Sequence, residues 1–180
     1  MSITEIYNQK CEENSDICQH LPTLKRYAED SDIIVELGVR SIVSTWAFLM
    51  GKPKELYSVD IYHPSHYLDY DLNGCNLELV ESLSKKQGTF FKFIQHDSRT
   101  VELPKCGLMF FDTLHTNEQL KAELKHHHKN VSKYMIFHDT VSYESELISP
   151  INNFLSQNKD WDVLEVFYNN NGLMVLKRKQ

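Results

Sequence analysis

From about residue 30 onward, short apolar runs alternate with segments whose apolar residues recur every three or four positions. The first kind reads as buried strands and the second as amphipathic helices. Ile33 to Leu37 predicts a first strand and Ser41 to Met50 a helix, which Gly51-Lys52-Pro53 breaks. Glu55 to Ile61 predicts a second strand, 63–74 an irregular loop rich in Tyr and His, and Leu77 to Lys86 a helix. Phe90 to Gln95 and Gly107 to Asp112 predict the third and fourth strands. Asn117 to Lys129 predicts a helix, Lys133 to His138 the fifth strand, and Ser145 to Asn158 a helix with Pro150 in its first turns. Ahead of this alternation, residues 2–29 predict one or two leading helices, with Pro22 suited to the first turn of the second. Behind it, Trp161 to Tyr168 and Gly172 to Lys177 flank Asn169-Asn170-Asn171-Gly172, a hairpin signal. The expected fold is α/β: a Rossmann-like, doubly wound, mostly parallel seven-stranded sheet with an antiparallel C-terminal hairpin. One domain over 1–180 is expected, made of an N-terminal helical segment (1–30) and a core (31–180).

Composition narrows the function classes more than it names one. A net charge of −6 gives no basic footprint, so nucleic acid is not the expected partner. The N-terminus has neither a cationic start nor a long apolar run, so no signal peptide, no membrane span and a cytoplasmic location are expected. Cys11, Cys18, Cys75 and Cys106 are scattered with no Cys-x-x-Cys pair, as in a reduced protein whose thiols are structural.

In an open sheet of this kind, ligands bind at the carboxyl ends of the strands. The five predicted strands are followed there by Glu36-Leu37-Gly38-Val39-Arg40-Ser41, Asp60, His96-Asp97-Ser98-Arg99, Asp112-Thr113-Leu114-His115 and His138-Asp139-Thr140. All five carry an acid. Helix caps and turns explain some of these residues singly; together they point to one shared site. Each also has a plainer reading: Glu36 a cap, Asp60 a turn residue, His115 a solvated loop histidine, His138 a satisfied near-core histidine. The His126-His127-His128 run is flanked by lysines at a helix end and reads as a cationic surface terminus. The loop from Tyr62 to Tyr70 suits either a substrate lid or packing against the leading helices. A nicotinamide fingerprint would need Gly-x-Gly-x-x-Gly, and Gly38 stands alone.

Glu36-Leu37-Gly38-Val39-Arg40-Ser41 with Ser44-Thr45, Phe110-Phe111-Asp112-Thr113-Leu114-His115-Thr116, and Phe137-His138-Asp139-Thr140 together resemble the class I S-adenosylmethionine (SAM)-dependent methyltransferases. Within these the pattern is most similar to small-molecule and sugar O-methyltransferases of the macrolide-sugar and cephalosporin-hydroxylase-like group. The resemblance covers about residues 30 to 178. It implies that Glu36, Gly38, Val39, Arg40, Ser41 and Ser44 face the methionine part of SAM. Asp60, with Ile61 beside it, would hold the ribose, and Asp97 and Ser98 would lie by the adenine. Asp112, His138 and Asp139 would hold a divalent metal, Mg²⁺ or Mn²⁺, with His138 better suited to Mn²⁺, Fe²⁺ or Zn²⁺. His115 would be the general base, supported by Asp112. The implied acceptor is a hydroxyl of a small molecule or sugar. The leading helices would cover the site or form a dimer face, so a homodimer is one arrangement they allow. Two positions depart from the family pattern: Ile42 stands where relatives carry a second glycine, and Leu114 where they carry an acid. On that account the alternative is a non-catalytic binding protein built on the same fold.

Overall fold

The computed structural model describes residues 1–67 and 76–179. Cys75 and residues 68–70 of the aromatic loop, on which a structural thiol and part of a lid were expected, lie outside the described residues. Two leading helices, α1 (Ile3–Glu12) and α2 (Leu21–Ala28), precede strand β1 (Ile33–Leu37). The chain then runs through α3 (Ser44–Met50), β2 (Glu55–Asp60), α4 (Leu77–Gln87), β3 (Phe90–Gln95) and β4 (Cys106–Phe111). It continues through α5 (Asn117–His127), β5 (Val131–His138), α6 (Glu144–Gln157), β6 (Trp161–Phe167) and β7 (Leu173–Arg178). The strands form one sheet in the order β3-β2-β1-β4-β5-β7-β6. β1 to β5 are parallel, while β7 runs antiparallel to both β5 and β6. This is the doubly wound sheet with a C-terminal hairpin that the hydrophobic pattern predicts.

The central strands are apolar on both faces because both faces are covered. Ile34, Leu108, Phe110 and Ile136 pack with Ile6, Leu21, Leu24 and Trp46 of the three N-terminal helices. Val35, Met109, Phe111 and Phe137 point to the opposite face, against Leu120 and Leu124 of α5 and Leu147 and Ile151 of α6. Ile6, Leu21 and Leu24 are fully excluded from solvent, each worth about 1.5–3 kcal/mol, so the leading helices are fastened to α3 by core packing. Helix α1 opens on a reciprocal capping box between Ser2 and Glu5, and Pro22 falls in the first turn of α2.

Three boundaries differ from the sequence expectation by more than one residue. α3 begins at Ser44, three residues late, because Arg40 (φ 42°) and Ile42 (φ 57°) adopt left-handed backbone that a helix cannot contain. α5 ends at His127 and gives way to a 3₁₀ turn, His128–Asn130. β5 starts two residues earlier than predicted, at Val131.

Candidate active site

β1 sits between β2 and β4, so the direction of winding reverses there. The crevice beyond its carboxyl end is where open α/β sheets bind ligands. Gly38 turns the chain at that point with φ 89°, and its N–H donates to the Val59 carbonyl at 2.9 Å. A Cβ on Gly38 would lie 1.8 Å from the Asp112 carbonyl oxygen. Only glycine lets β1 and β4 end side by side here. Ile42 also keeps a left-handed backbone, at a cost of about 1–3 kcal/mol for a β-branched residue. Its side chain is 1% exposed and lies in the core with Trp46 and Leu21, not in the crevice.

Glu36 was expected at the ligand; it is fully buried beneath the turn instead. Its carboxylate accepts from Ser44 Oγ at 2.5 Å, Thr45 Oγ1 at 2.8 Å and Ser58 Oγ at 2.5 Å. Its place in an inward-facing strand position, opposite the hydroxyls that open α3, sends it into the interior. Burial pushes its pKa up to about 7, against the pull of those three hydroxyls.

Asp60 reaches the crevice, but its carboxylate is engaged. Oδ2 accepts from the N–H groups of Val39 (2.9 Å) and Arg40 (3.0 Å), and Oδ1 from Tyr62 N–H (3.0 Å). It therefore holds the first turn in shape and keeps only spare lone pairs for hydroxyls. Asp97 is clasped by Arg99 through Nε and Nη2 and accepts the Arg99 N–H at 2.9 Å. Those bonds hold its pKa down at about 2. Ser98 Oγ donates to buried Glu123 at 2.6 Å, and Glu123 also accepts from Thr113 and Gln119.

Four side chains meet where β4 and β5 end. His115 Nε2 lies 2.9 Å from Asp139 Oδ2 and 3.3 Å from Asp112 Oδ1. His138 Nδ1 lies 3.3 Å from the same Asp112 oxygen and 3.5 Å from Asp139 Oδ2. Tyr143 stacks on the His115 ring at 4.4 Å. Burial disfavours charge on both imidazoles, but the two carboxylates outweigh it, raising His115 to about 9 and His138 to about 10. The same contacts outweigh burial at Asp112 and Asp139 and hold both carboxyls below their ordinary range. Asp139 takes its seat through a left-handed backbone (φ 59°), which Asp tolerates better than most residues.

The donor set fits a divalent cation. One ligand atom each from Asp112, His138 and Asp139 lies within 4.8 Å of the others. Asp139 Oδ1 is buried with no hydrogen-bond partner, an orphan that a cation would satisfy. His138 Nε2 donates to the Asp16 carbonyl at 3.1 Å, which leaves Nδ1 facing the carboxylates. Leu114, which departs from the resembled pattern by replacing an acid, is 67% exposed at the rim, and the donor set forms without it.

The site opens into a cleft of ≈ 830 Å³. Gly38, Val39, Arg40, Ser41, Ser44, Asp60, Ile61, Asp97 and Ser98 line it together with Asp112, His115 and Asp139, while Glu36 and His138 are buried. Sequence reasoning missed Asn14, Ser15 and Asp16, which close the cleft from the N-terminal segment, and Gln119, which lines it from α5. Only Gln119 had a local signal, its i,i+4 spacing to Glu123 on one helix face. The histidine run is not a cationic surface terminus: His127 is fully buried, its pKa is lowered by burial, and Nε2 donates to the Ser98 carbonyl at 2.6 Å.

No family model matches the sequence, and no curated protein matches it. Solved structures do. The chain is similar to a methyltransferase of Podospora anserina bound to S-adenosylhomocysteine (SAH), with 15% identity and a TM-score of 0.62 over 99% of this chain and 88% of that one. It is similar to an O-methyltransferase of Bacillus cereus in complex with SAH, at 11% identity and TM-score 0.61 over 98% and 90% of the two chains. It is also similar to MycE, a methyltransferase of the mycinamycin biosynthetic pathway in complex with Mg and SAH, at 11% identity and TM-score 0.64 over 100% of this chain and 55% of that one. At such identities the likeness establishes a Rossmann-like methyltransferase fold.

Proposed function

We propose that this chain is a SAM-dependent O-methyltransferase, assisted by a divalent cation, acting on a hydroxyl of a small molecule or sugar. The observation that carries this reading is the meeting of Asp112, His115, His138 and Asp139 beside a cleft that the Gly38 turn also lines. The SAH-bound neighbours of the same fold support the choice of cofactor, and the Mg in the MycE structure supports the choice of cation.

In methyl transfer the acceptor oxygen bonds to the methyl carbon as the carbon–sulfur bond breaks, the sulfonium becomes a neutral thioether, and the hydroxyl proton must leave. The cleft orients the two reactants, which can supply much of such an in-line displacement. Asp112, Asp139 and His138 Nδ1 would hold the cation, which when bound lowers the pKa of a hydroxyl brought to it. His115 is the group placed to take the proton, with Tyr143 fixing its ring plane. The two carboxylates hold His115 protonated near neutrality, so it acts as a base only when their charge is engaged elsewhere. The exposed rim at Leu114, Tyr62 and Arg40 would meet the acceptor.

A calorimetric titration with SAM and SAH, with and without Mg²⁺ or Mn²⁺, tests the reading. Saturable micromolar binding supports it. Should that be seen, His115→Ala is expected to lower turnover about 100-fold or more while leaving SAH affinity within a factor of two or so; unchanged turnover would remove His115 as the base. A second reading, a non-catalytic binding protein, draws on Asp60 and Asp97 being engaged within the chain. Absence of binding to either cofactor form would favour it.

A further inference from the structure

The turn between β6 and β7 grips two separate segments. On one side is the stretch Ser15–His20. Asn170 Oδ1 accepts from Gln19 N–H at 2.9 Å, and Asn170 Nδ2 donates to the Ser15 carbonyl at 2.9 Å. Asn169 Nδ2 donates to Gln19 Oε1 at 2.7 Å, and His20 Nε2 donates to the carbonyls of Asn169 and Asn170 at 3.0 and 3.1 Å. On the other side is the segment after Asp139: the Asn171 carbonyl accepts from Val141 N–H at 2.9 Å and Ser142 N–H at 3.1 Å. Gly172 lies so close that a Cβ would stand 2.6 Å from the Val141 nitrogen. Asn170 and Asn171 have φ 44° and 70°, a region asparagine enters more readily than most residues.

These segments flank His138. The residue after Ser15 is Asp16, whose carbonyl accepts from His138 Nε2, and the His20 ring stands edge-on to the His138 ring at 5.8 Å. A carbonyl only accepts, so Nε2 carries the hydrogen and Nδ1 is the nitrogen turned to Asp112 and Asp139. We propose that Asn170 is a positioning residue for the divalent-cation centre: it holds Ser15, hence the Asp16 carbonyl, and that carbonyl sets which nitrogen of His138 faces the carboxylates. The inference rests on the metal reading given above and extends it to residues that touch neither cation nor cofactor. Partners behind a ligating imidazole are worth about 10- to 100-fold in metal affinity.

The test is a Mn²⁺ titration of the full chain followed by electron paramagnetic resonance, with SAH affinity measured in parallel. Wild type, Asn170→Gly, Asn170→Asp and Asp139→Asn are compared. Asn170→Gly keeps the left-handed turn and removes both side-chain bonds. Asn170→Asp keeps the acceptor for Gln19 and removes the donor to Ser15, so it carries the test if the glycine variant does not fold. Both are expected to weaken Mn²⁺ about 10-fold or more while SAH affinity stays within about threefold, because no residue of the turn itself lines the cleft. Unchanged Mn²⁺ affinity in both, with Asp139→Asn abolishing it, overturns the role of Asn170 and leaves the metal reading standing. A wild-type chain that binds no Mn²⁺ with or without SAH overturns both.

Discussion

Residue by residue, the side chains that were easiest to pick out are not all doing what their positions suggested. Glu36 is legible as an acid at a strand end, but its direction is not: the three hydroxyls that draw it inward come from two other elements. Its folded pKa of about 7 stands above the ordinary 4.5, so between those values the folded chain binds a proton that the unfolded chain lacks. Stability therefore falls as pH rises from about 4.5 to 7, by up to about 3 kcal/mol. Glu36→Gln is expected to reduce this decline, seen as a smaller difference in urea midpoint between pH 5 and pH 6.5 in the variant than in wild type, a window below the loss that His115 and His138 impose on both proteins. Parallel declines in the two proteins would show that Glu36 is not the source. Ile42 is the converse case. The missing second glycine is visible in the sequence, yet the backbone keeps a glycine-like φ and places the side chain in the core.

At the scale of elements, period and punctuation carried most of the information. Apolar runs bounded by Gly, Pro and Asn located the strands, and the three-to-four spacing located the helices, because burial on both faces of a parallel sheet leaves that mark. The onset of α3 did not show, since nothing in the residue types of Arg40 and Ile42 announces a left-handed backbone. How elements close upon one another can be tested with two glycines. Gly38 and Gly88 have nearly the same φ, 89° and 90°, but a Cβ would strike the Asp112 carbonyl at Gly38 and meet nothing within 4 Å at Gly88, the cap of α4. Gly88→Ala is expected to cost about 1 kcal/mol. Gly38→Ala is expected to cost about 3 kcal/mol or more or to prevent folding, because β1 and β4 would have to separate. Equal shifts in denaturation midpoint would mean that the close approach is not what requires glycine.

For the molecule as a whole, the doubly wound sheet with its antiparallel end followed from the alternation of elements, but the strand order and the completion of the site did not. Asp16 and His138 meet across the length of the chain, and no local pattern in either segment announces the other. The engagement of Asp60 by the Val39 and Arg40 N–H groups was equally invisible, being set by how two loops fold over one strand end. If the cleft takes the cofactor as proposed, ligand binding must stabilise the entire fold. SAH at one hundred times its dissociation constant adds about 2.7 kcal/mol, which for a chain of this size raises Tm by roughly 5–10 °C. A flat melting curve across an SAH series would count against the cleft as its site.

The position of β7 also bears on how the chain folds. It follows β6 in sequence yet lies inside it in the sheet, against β5. The strand that ends in His138 therefore keeps an open edge until α6, β6 and the asparagine turn have brought β7 back to it. That edge includes Tyr134, Met135, Ile136 and Phe137, all buried once β7 arrives. An unpaired edge of this kind is a template on which another chain can add a strand. Late docking of β7 thus makes association between folding chains a hazard of the last step, separate from the stability of the finished sheet.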